Sequence, residues 1–148
     1  MRRPVEIRKF RLSDLPRINR IERASFGVDA YDGNLFAEFY YKCGDLFLVA
    51  SDSSGVCGYM VTSTRGDRAE VISIAVAPRA RKRGTASALM DSTLRRLRRR
   101  NIARVVLMVK VTNAAARRFY AKYGFDKVRL VRTYYEDGAD GVLMARKL

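Results

Sequence analysis

A basic turn that contains glycine carries the clearest chemical signal in this sequence. The turn spans residues 79–84, between the apolar segment VISIAV at residues 71–76 and an amphipathic stretch that follows Gly84. Pro78 ends the apolar segment, because proline cannot donate a hydrogen bond to a neighbouring strand. A strand, a basic turn and a helix together can bind phosphate, because the first amides of a helix lack partners and the helix dipole is positive there.

The residue types of this turn narrow the choice of ligand. Gly84 and Ala86 leave room for an anion to approach the backbone. The turn has neither the lysine–hydroxyl pair of a Walker motif nor the GxGxxG of a dinucleotide site, so ATP and NAD are disfavoured. An ordinary solvated helix cap is the alternative explanation, and the local pattern alone does not separate the two.

Length and composition predict one domain over residues 1–148, because a hydrophobic content of 48% supports a compact core. No apolar run approaches the roughly 20 residues needed to span a bilayer, and the N-terminal MRRPVEIRKF lacks the apolar region of a leader. We therefore expect a cytoplasmic protein without membrane association. Cys43 and Cys57 are expected to be small, reduced and partly buried, and the absence of histidine gives a metal site no support.

The formal net charge of +15 needs an explanation of its own. The densest basic run, residues 95–100, lies where a helix should end, and cations are favourable there because they meet the negative end of the dipole. Contact with a nucleic acid is the other explanation, because lysine and arginine gain affinity by neutralising phosphates. Nucleic-acid contact through this basic surface stays open, but it is not the central function that the sequence indicates.

Hydrophobic periodicity predicts an α/β (α+β) fold with the element order βααβββαβαββ. The apolar run ARVVLMVK at residues 103–110 is typical of a buried strand, joined to residues 71–76 by a crossover helix. The sheet should therefore be mixed and mostly antiparallel, with a central parallel pair. The predicted strands cover residues 5–10, 46–51, 56–64, 71–76, 103–110, 127–135 and 141–146, and the predicted helices cover residues 15–25, 35–42, 85–100 and 113–123.

Three phrases resemble the GNAT acyltransferases, and more narrowly their N-terminal protein acetyltransferases of the bacterial ribosomal-protein-alanine and archaeal types. These phrases are SIAVAPRARKRGTASALM, VTNAAARRFYAKYGF and YYEDGADGVLMARKL. The predicted element order is also that of the GNAT fold. The resemblance implies transfer of an acetyl group from acetyl-CoA to the α-amine of protein N-termini, by direct attack in a ternary complex.

Partners and rival functions follow from the same resemblance. The substrate would be the N-terminal peptide of a protein, with ribosomal proteins or the ribosome among the candidates. A lysine or small-amine acetyltransferase is the first alternative. A non-catalytic basic module that binds RNA or ribosomes is the second, because Met108 stands where the close family commonly has a glutamate.

The cosubstrate residues are those that match the family's motifs, and no metal is implied. Backbone groups of Ile74, Ala75 and Val76 would pair with the pantetheine arm, which Asn113 would also meet. Arg117 would reach the 3′-phosphate. The amides that would hold the pyrophosphate belong to Arg81, Lys82, Arg83, Gly84, Thr85 and Ala86. A plain helix cap for Asn113 and an exposed helix arginine for Arg117 remain the alternatives.

Acetyl transfer to an amine requires a neutral amine, a thioester within attack distance and a proton for the leaving thiolate. Tyr120 matches the family tyrosine near the sulfur, where a phenol of pKa about 10 can act as the acid. A buried core aromatic is the alternative. With Met108 unable to accept a proton, Glu70 before the central strand and Asp29 in the first long loop are the candidate bases, and we favour Glu70. An ordered water is the third possible proton acceptor. Simple surface solvation would explain either carboxylate equally well.

Three tyrosines are the candidate substrate-binding residues. By resemblance, Tyr31, Tyr134 and Tyr135 would form hydrogen bonds to the first residues of the peptide and wall its side chain. The peptide would enter between the first helix–loop segment and the last hairpin. Aromatic packing in the core or across the hairpin strands is the alternative, and it is stronger for Tyr134.

Overall fold

The computed structural model describes residues 5–148, which contain seven strands and four α-helices. The strands are β1 (Glu6–Lys9), β2 (Phe47–Asp52), β3 (Gly55–Arg65), β4 (Arg68–Val76), β5 (Arg104–Lys110), β6 (Asp126–Val131) and β7 (Gly141–Lys147). The helices are α1 (Leu15–Phe26), α2 (Gly33–Cys43), α3 (Thr85–Arg99) and α4 (Ala114–Lys122). Residues 1–4 lie outside the described residues. They are part of the N-terminal stretch MRRPVEIRKF, which is expected to lack the apolar region of a leader.

The strands form one sheet in the order β1-β2-β3-β4-β5-β7-β6. Neighbouring strands are antiparallel except β4 and β5, which are parallel and joined by α3. A parallel pair requires such a crossover, because a tight turn can only reverse the chain. The predicted fold class and the predicted element order are both confirmed.

Helices cover both faces of the sheet and create two hydrophobic cores. Ile18 of α1 and Phe36 of α2 fill one core, whereas Leu97 of α3 and Tyr120 of α4 fill the other. The central strand supplies both cores from alternate residues, and this explains why its sequence is almost continuously apolar.

Most strand boundaries lie within one residue of the prediction, but two differ by three or more residues, and both of these differences affect the site. The central strand begins at Arg68 rather than residue 71, because a turn with Gly66 at φ 62° lets Arg68 pair directly with Arg65. The first strand of the last hairpin ends at Val131 rather than residue 135. Thr133 has φ 53° and its amide donates to Asp140 Oδ1 at 2.9 Å, so the chain has already left the extended conformation there.

Both cysteines are unpaired and buried, more deeply than the partial burial that the sequence predicts. Cys57 Sγ donates to the carbonyl of Ala50 within the β2–β3 pair. Among the described helices, none combines the length and the apolar character needed to cross a membrane.

Candidate active site

The two parallel strands separate halfway along their length. Pairing between β4 and β5 runs from Arg68–Arg104 to Val71–Leu107, and no further pair between them is present in the described residues. Beyond that point β4 pairs only with β3, and β5 pairs only with β7. We call the resulting gap, between residues 72–76 and 108–110, the wedge. Main-chain groups of β4 therefore face the wedge without a neighbouring strand, and a ligand with amide groups can pair with them.

A cavity of about 750 Å³ opens on the wedge. Its walls come from the end of α1, the loop between α1 and α2, strands β4 and β5, the start of α4, and the loop between β6 and β7. Eight predicted site residues line it: Asp29, Tyr31, Glu70, Ile74, Asn113, Tyr120, Tyr134 and Tyr135. The fold thus brings together the predicted acid, both predicted bases and all three predicted substrate tyrosines.

The remaining predicted residues lie at the end of β4, in the turn before α3, in the first turn of α3, and on α4. Gly84 precedes α3 with φ 80°, and Lys82 has φ 63°. The first bond of the helix runs from the Ala88 amide to the Gly84 carbonyl at 2.9 Å, so the amides of residues 85–87 have no partner within the helix. Together with the exposed side chains of Lys82 and Arg83, these amides form a site that fits a diphosphate.

Several side chains near this turn are held by the protein itself. Arg81 Nε donates to the Val76 carbonyl at 3.1 Å, and its Nη2 donates to Ser25 Oγ at 3.3 Å, which fixes the turn against α1. Arg117 Nη1 donates to the Val111 carbonyl at 3.0 Å. Asn113 Oδ1 accepts from the Ala116 amide at 3.2 Å, so Asn113 is a helix cap that also lines the cavity.

Tyr120 is a core aromatic that also lines the cavity. Its ring packs against Phe119 and Phe125, and the residue is only 8% exposed, yet it lines the cavity. Burial, and then the neighbouring Tyr135, raise the pKa of Tyr120 above its ordinary value. The phenol therefore stays protonated at neutral pH and is available as a proton donor.

The two candidate bases have different surroundings. Asp29 accepts from Lys110 Nζ at 2.7 Å, so its carboxylate is already paired with a cation. Glu70 lies inside β4 instead of before it, because the strand begins at Arg68, two residues before Glu70. Glu70 is exposed, lines the cavity and has no ion pair with any described residue.

Met108 occupies the wall of the cavity one residue beyond the last β4–β5 pair. Its sulfur lies so near Gly141 on β7 that a Cβ atom there would come within 2.8 Å of it. A larger residue at position 141 would therefore require the Met108 side chain to shift. A thioether in this place cannot take up a proton, so the proton acceptor has to come from another element.

Lys110 is a residue whose importance the sequence does not reveal. Its ammonium group binds Asp29 of the α1–α2 loop at 2.7 Å and Asp137 of the β6–β7 loop at 2.6 Å, and it lies 5.3 Å from the centre of the Tyr135 ring. Asp137, and then Asp29, raise the pKa of Lys110 to about 12. We call this arrangement the lysine clasp, because it joins the two loops that border the cavity.

The three tyrosines lie on these two loops. Tyr134 and Tyr135 pack edge to face with ring centres 5.0 Å apart. Because β6 ends at Val131, cross-strand packing in the hairpin does not explain Tyr134. Burial, then Tyr134, raise the pKa of Tyr135 to about 12, and the same two causes raise the pKa of Tyr31. The hydroxyls of Tyr31 and Tyr135 are therefore suited to hydrogen bonding rather than to carrying charge.

Glu22 is a second residue that sequence reasoning missed. This α1 carboxylate is 1% exposed and lies at the cavity wall. Its Oε1 accepts from the hydroxyl groups of Tyr59 and Ser73, the latter at 3.0 Å, and its Oε2 accepts from the Tyr31 amide at 3.0 Å. The available signal was a charged residue on the apolar face of a predicted helix, next to Ile18 and Ile21.

Comparison with known proteins places this architecture in a family. The model of the acetyltransferase (GNAT) family matches residues 15–125, which is more than half of the chain. An uncharacterised N-acetyltransferase of Methanocaldococcus jannaschii is 36% identical over 143 residues, covering 95% of this chain and 90% of that protein. An N-alpha-acetyltransferase of Sulfolobus acidocaldarius is 32% identical over 156 residues, covering 97% and 92%.

Solved structures agree with this placement. The crystal structure of Ard1 from Thermoplasma volcanium has a TM-score of 0.93 and 32% identity, with 97% of each chain covered. The ribosomal-protein-S18-alanine N-acetyltransferase of Escherichia coli has a TM-score of 0.85 and 26% identity, with 97% of this chain and 94% of that chain covered. The split parallel pair, the glycine turn and these matches lead to one conclusion: the chain belongs to the GNAT family of acetyltransferases.

Proposed function

We propose that this acetyltransferase acts on the α-amine of protein N-termini. The observation that carries the proposal is the cavity on the wedge, where three tyrosines and the lysine clasp form a deep, partly apolar site beside an unpaired strand edge. Such a site suits the first residues of an extended chain better than a small free amine. The similarity to N-alpha-acetyltransferases supports the same substrate class.

Acetyl-CoA is the cosubstrate that these residues fit. The unpartnered amides at residues 85–87, with Lys82 and Arg83 beside them, would hold its diphosphate. The wedge side of residues 74–76 would pair with its pantetheine arm, and Asn113 and Arg117 would lie along the same path. When bound, acetyl-CoA supplies an activated acetyl thioester.

The chain's own residues account for the movement of protons. A free α-amine has a pKa of about 8, so part of it is already neutral near physiological pH, and a carboxylate needs only to accept its proton during attack. A lysine amine, with a pKa of about 10.4, is harder to deprotonate. Glu70 is the base that we favour, because it lines the cavity and no cation among residues 5–148 forms an ion pair with it. Tyr120, which lines the same cavity, holds a proton at its Oη.

A comparison of Glu70→Gln with Asp29→Asn tests the assignment of the base. We expect Glu70→Gln to lower kcat by about 10²-fold or more, because general base catalysis is lost. Asp29→Asn should mainly raise KM for the peptide, because it loosens the lysine clasp. The reverse pattern, with kcat lost only in Asp29→Asn, would transfer the role to Asp29.

The substrate class is tested by mass spectrometry of peptides incubated with acetyl-CoA. Each peptide should carry one internal lysine and a different first residue, so that acetylation at the two amines can be located by fragmentation. We expect the label at the α-amine, at a rate that depends on the first residue. Acetylation confined to the lysine side chain would refute the proposal and support the lysine alternative. Ribosomal proteins are the finer substrate proposal, and peptides from their N-termini belong in the same panel.

A further inference from the structure

Four basic residues form a row across four neighbouring strands at one end of the sheet. Arg65 of β3 lies opposite Arg68 of β4, Arg68 lies beside Arg104 of β5, and Arg104 lies opposite Lys147 of β7. All four are exposed. We call this row the basic sheet end. Directly paired residues share a face of the sheet, with Cβ atoms about 4.5–5.5 Å apart, so the four charges are close neighbours.

Such a row is unfavourable in the isolated protein, because like charges directly opposite one another destabilise a strand pair. Three carboxylates lie near the basic sheet end, either in sequence or through strand pairing: Asp67 in the β3–β4 turn, Glu70, and Asp126 of β6. Within the described residues, none of them forms an ion pair with the row. The row therefore keeps its full positive charge.

The C-terminal end of α3 adds to this charge. The Ala103 amide donates to the Asp67 carbonyl at 2.7 Å, so the chain that leaves α3 is attached to the β3–β4 turn. Arg98 and Arg99 are exposed, and in the described part of the chain neither has an ion-pair partner. Basic side chains of the row and of the C-terminal end of α3 thus lie around this end of the sheet.

Phosphates of acetyl-CoA do not explain the basic sheet end. Arg68 is the first residue of β4 and Val76 is the last, so the row and the glycine turn lie at opposite ends of a strand about 26 Å long. An independent anionic partner would offset the repulsion within the row.

We propose that the basic sheet end is a docking surface for structured RNA. Three of its four residues are arginines, whose planar, charged groups bind phosphate through paired hydrogen bonds. The net charge of +15 favours a partner of high charge density over an acidic protein segment. The row contains no apolar residue that could enter a membrane.

The shape of the surface favours RNA over duplex DNA. Proteins that read duplex DNA commonly insert a helix or a ribbon into the major groove, whereas double-stranded RNA is recognised largely through its backbone and shape. The basic sheet end is a row across a sheet, suited to backbone contacts. N-termini of new proteins, the substrates proposed above, also arise beside ribosomal RNA.

Fluorescence anisotropy with a labelled RNA stem-loop tests the proposal. The row variant combines Arg65→Gln, Arg68→Gln, Arg104→Gln and Lys147→Gln. The control variant combines Arg20→Gln, Arg23→Gln, Arg118→Gln and Lys42→Gln, which are exposed basic residues outside the row. Each variant removes four positive charges, so the two differ only in where the charge is lost.

We expect the row variant to bind the RNA at least about tenfold more weakly at 0.15 M salt, with a salt slope reduced by about 3, since each lost phosphate contact removes about 0.7–0.9. The control variant should retain nearly all of the affinity and the slope. The melting temperature of the row variant should be unchanged or higher, because repulsion is relieved, and this distinguishes lost binding from misfolding.

Equal losses in the two variants would overturn the proposal, because they would show that charge acts from the whole surface. Tighter binding of wild-type protein to a DNA stem-loop of the same sequence, to an acidic peptide or to anionic vesicles would also overturn it. The binding measurement does not depend on acetyl transfer, so it can fail while the proposed function stands.

Discussion

Tyr120 is both an aromatic residue of the core and the predicted catalytic phenol. The sequence offered a core aromatic or a catalytic phenol, and the structure places the ring in the core and the residue at the cavity wall. The sequence could predict this position of Tyr120. The cap at Asn113 and the glycine at residue 124 mark the two ends of α4, and these ends determine which face of the helix carries Tyr120. The raised pKa could not be predicted, because it depends on the burial that the finished fold creates.

Replacement of Tyr120 by phenylalanine should separate the two roles. We expect kcat to fall about 10²-fold, because general acid catalysis contributes about 10²–10⁴, while the free energy of unfolding changes little because the ring is kept. Wild-type activity should persist above pH 10, since the raised pKa keeps the proton bound there. Tyr41→Phe, at an exposed tyrosine, is the matched control for steady-state kinetics. Unchanged kcat in Tyr120→Phe would remove this residue from the mechanism.

Glu22 could not be assigned from the sequence, because its three partners come from distant segments. Tyr59, Ser73 and the Tyr31 amide converge on it only after α1 packs on β3 and β4. A buried carboxylate without a cation is tolerated when hydrogen bonds satisfy it. Glu22 thereby connects the core to the loop that carries Tyr31.

Glu22→Gln should destabilise the protein and weaken peptide binding. The new amide group can satisfy the hydroxyl donors through its oxygen, but it presents a donor toward the Tyr31 amide, and an unsatisfied buried group costs about 1–3 kcal/mol. Urea denaturation should show this loss, and KM for the peptide should rise more than KM for acetyl-CoA. Glu38→Gln, an exposed change on α2, should show neither effect.

At the scale of elements, periodicity predicted the number, type and order of the helices and strands, and loops caused the errors. The last hairpin has a nine-residue connection, residues 132–140. The prediction extended β6 into this connection, because it followed the alternation of apolar and polar residues. Thr133 in the left-handed region and the Asp140 carboxylate that binds its amide define the true end, and neither has a distinctive sequence signal. Both substrate tyrosines of the hairpin lie on this connection.

The lysine clasp should control how well these two loops hold a peptide. Lys110→Met removes both ion pairs and keeps much of the aliphatic stem, so we expect KM for the peptide to rise about tenfold while KM for acetyl-CoA stays constant. Lys42→Met, an exposed lysine of α2 without an ion pair in the described residues, is the control. If Lys110→Met leaves the peptide KM unchanged, the clasp has no role in substrate binding.

For the whole molecule, the sheet with a core on each face was predictable, because its central strands are apolar on both sides. The cavity was not predictable in shape, because it depends on where β4 and β5 separate. That point follows from the register of Val71 with Leu107 and from the β3–β4 pairing, which are properties of the assembled sheet.

Ligand binding should stabilise the whole fold. At 100 times its Kd, acetyl-CoA should add about 2.7 kcal/mol, which corresponds to a rise in melting temperature of roughly 5–10 °C for a domain of this size. Gly84→Ala should reduce this rise, because alanine at φ 80° is strained and its methyl group narrows the diphosphate site. Differential scanning fluorimetry with and without acetyl-CoA measures both effects. An equal rise in wild type and Gly84→Ala would show that the turn does not hold the cosubstrate.

The split between β4 and β5 has a further consequence for how the free enzyme behaves. Amides along the open edge of β4 have no cross-strand acceptor on that side, so their protons are exposed to exchange with solvent until a ligand covers them. A bound pantetheine arm would act as a short eighth strand and protect them. The sheet would then be complete only while the cosubstrate is bound, and the cosubstrate would form part of the secondary structure.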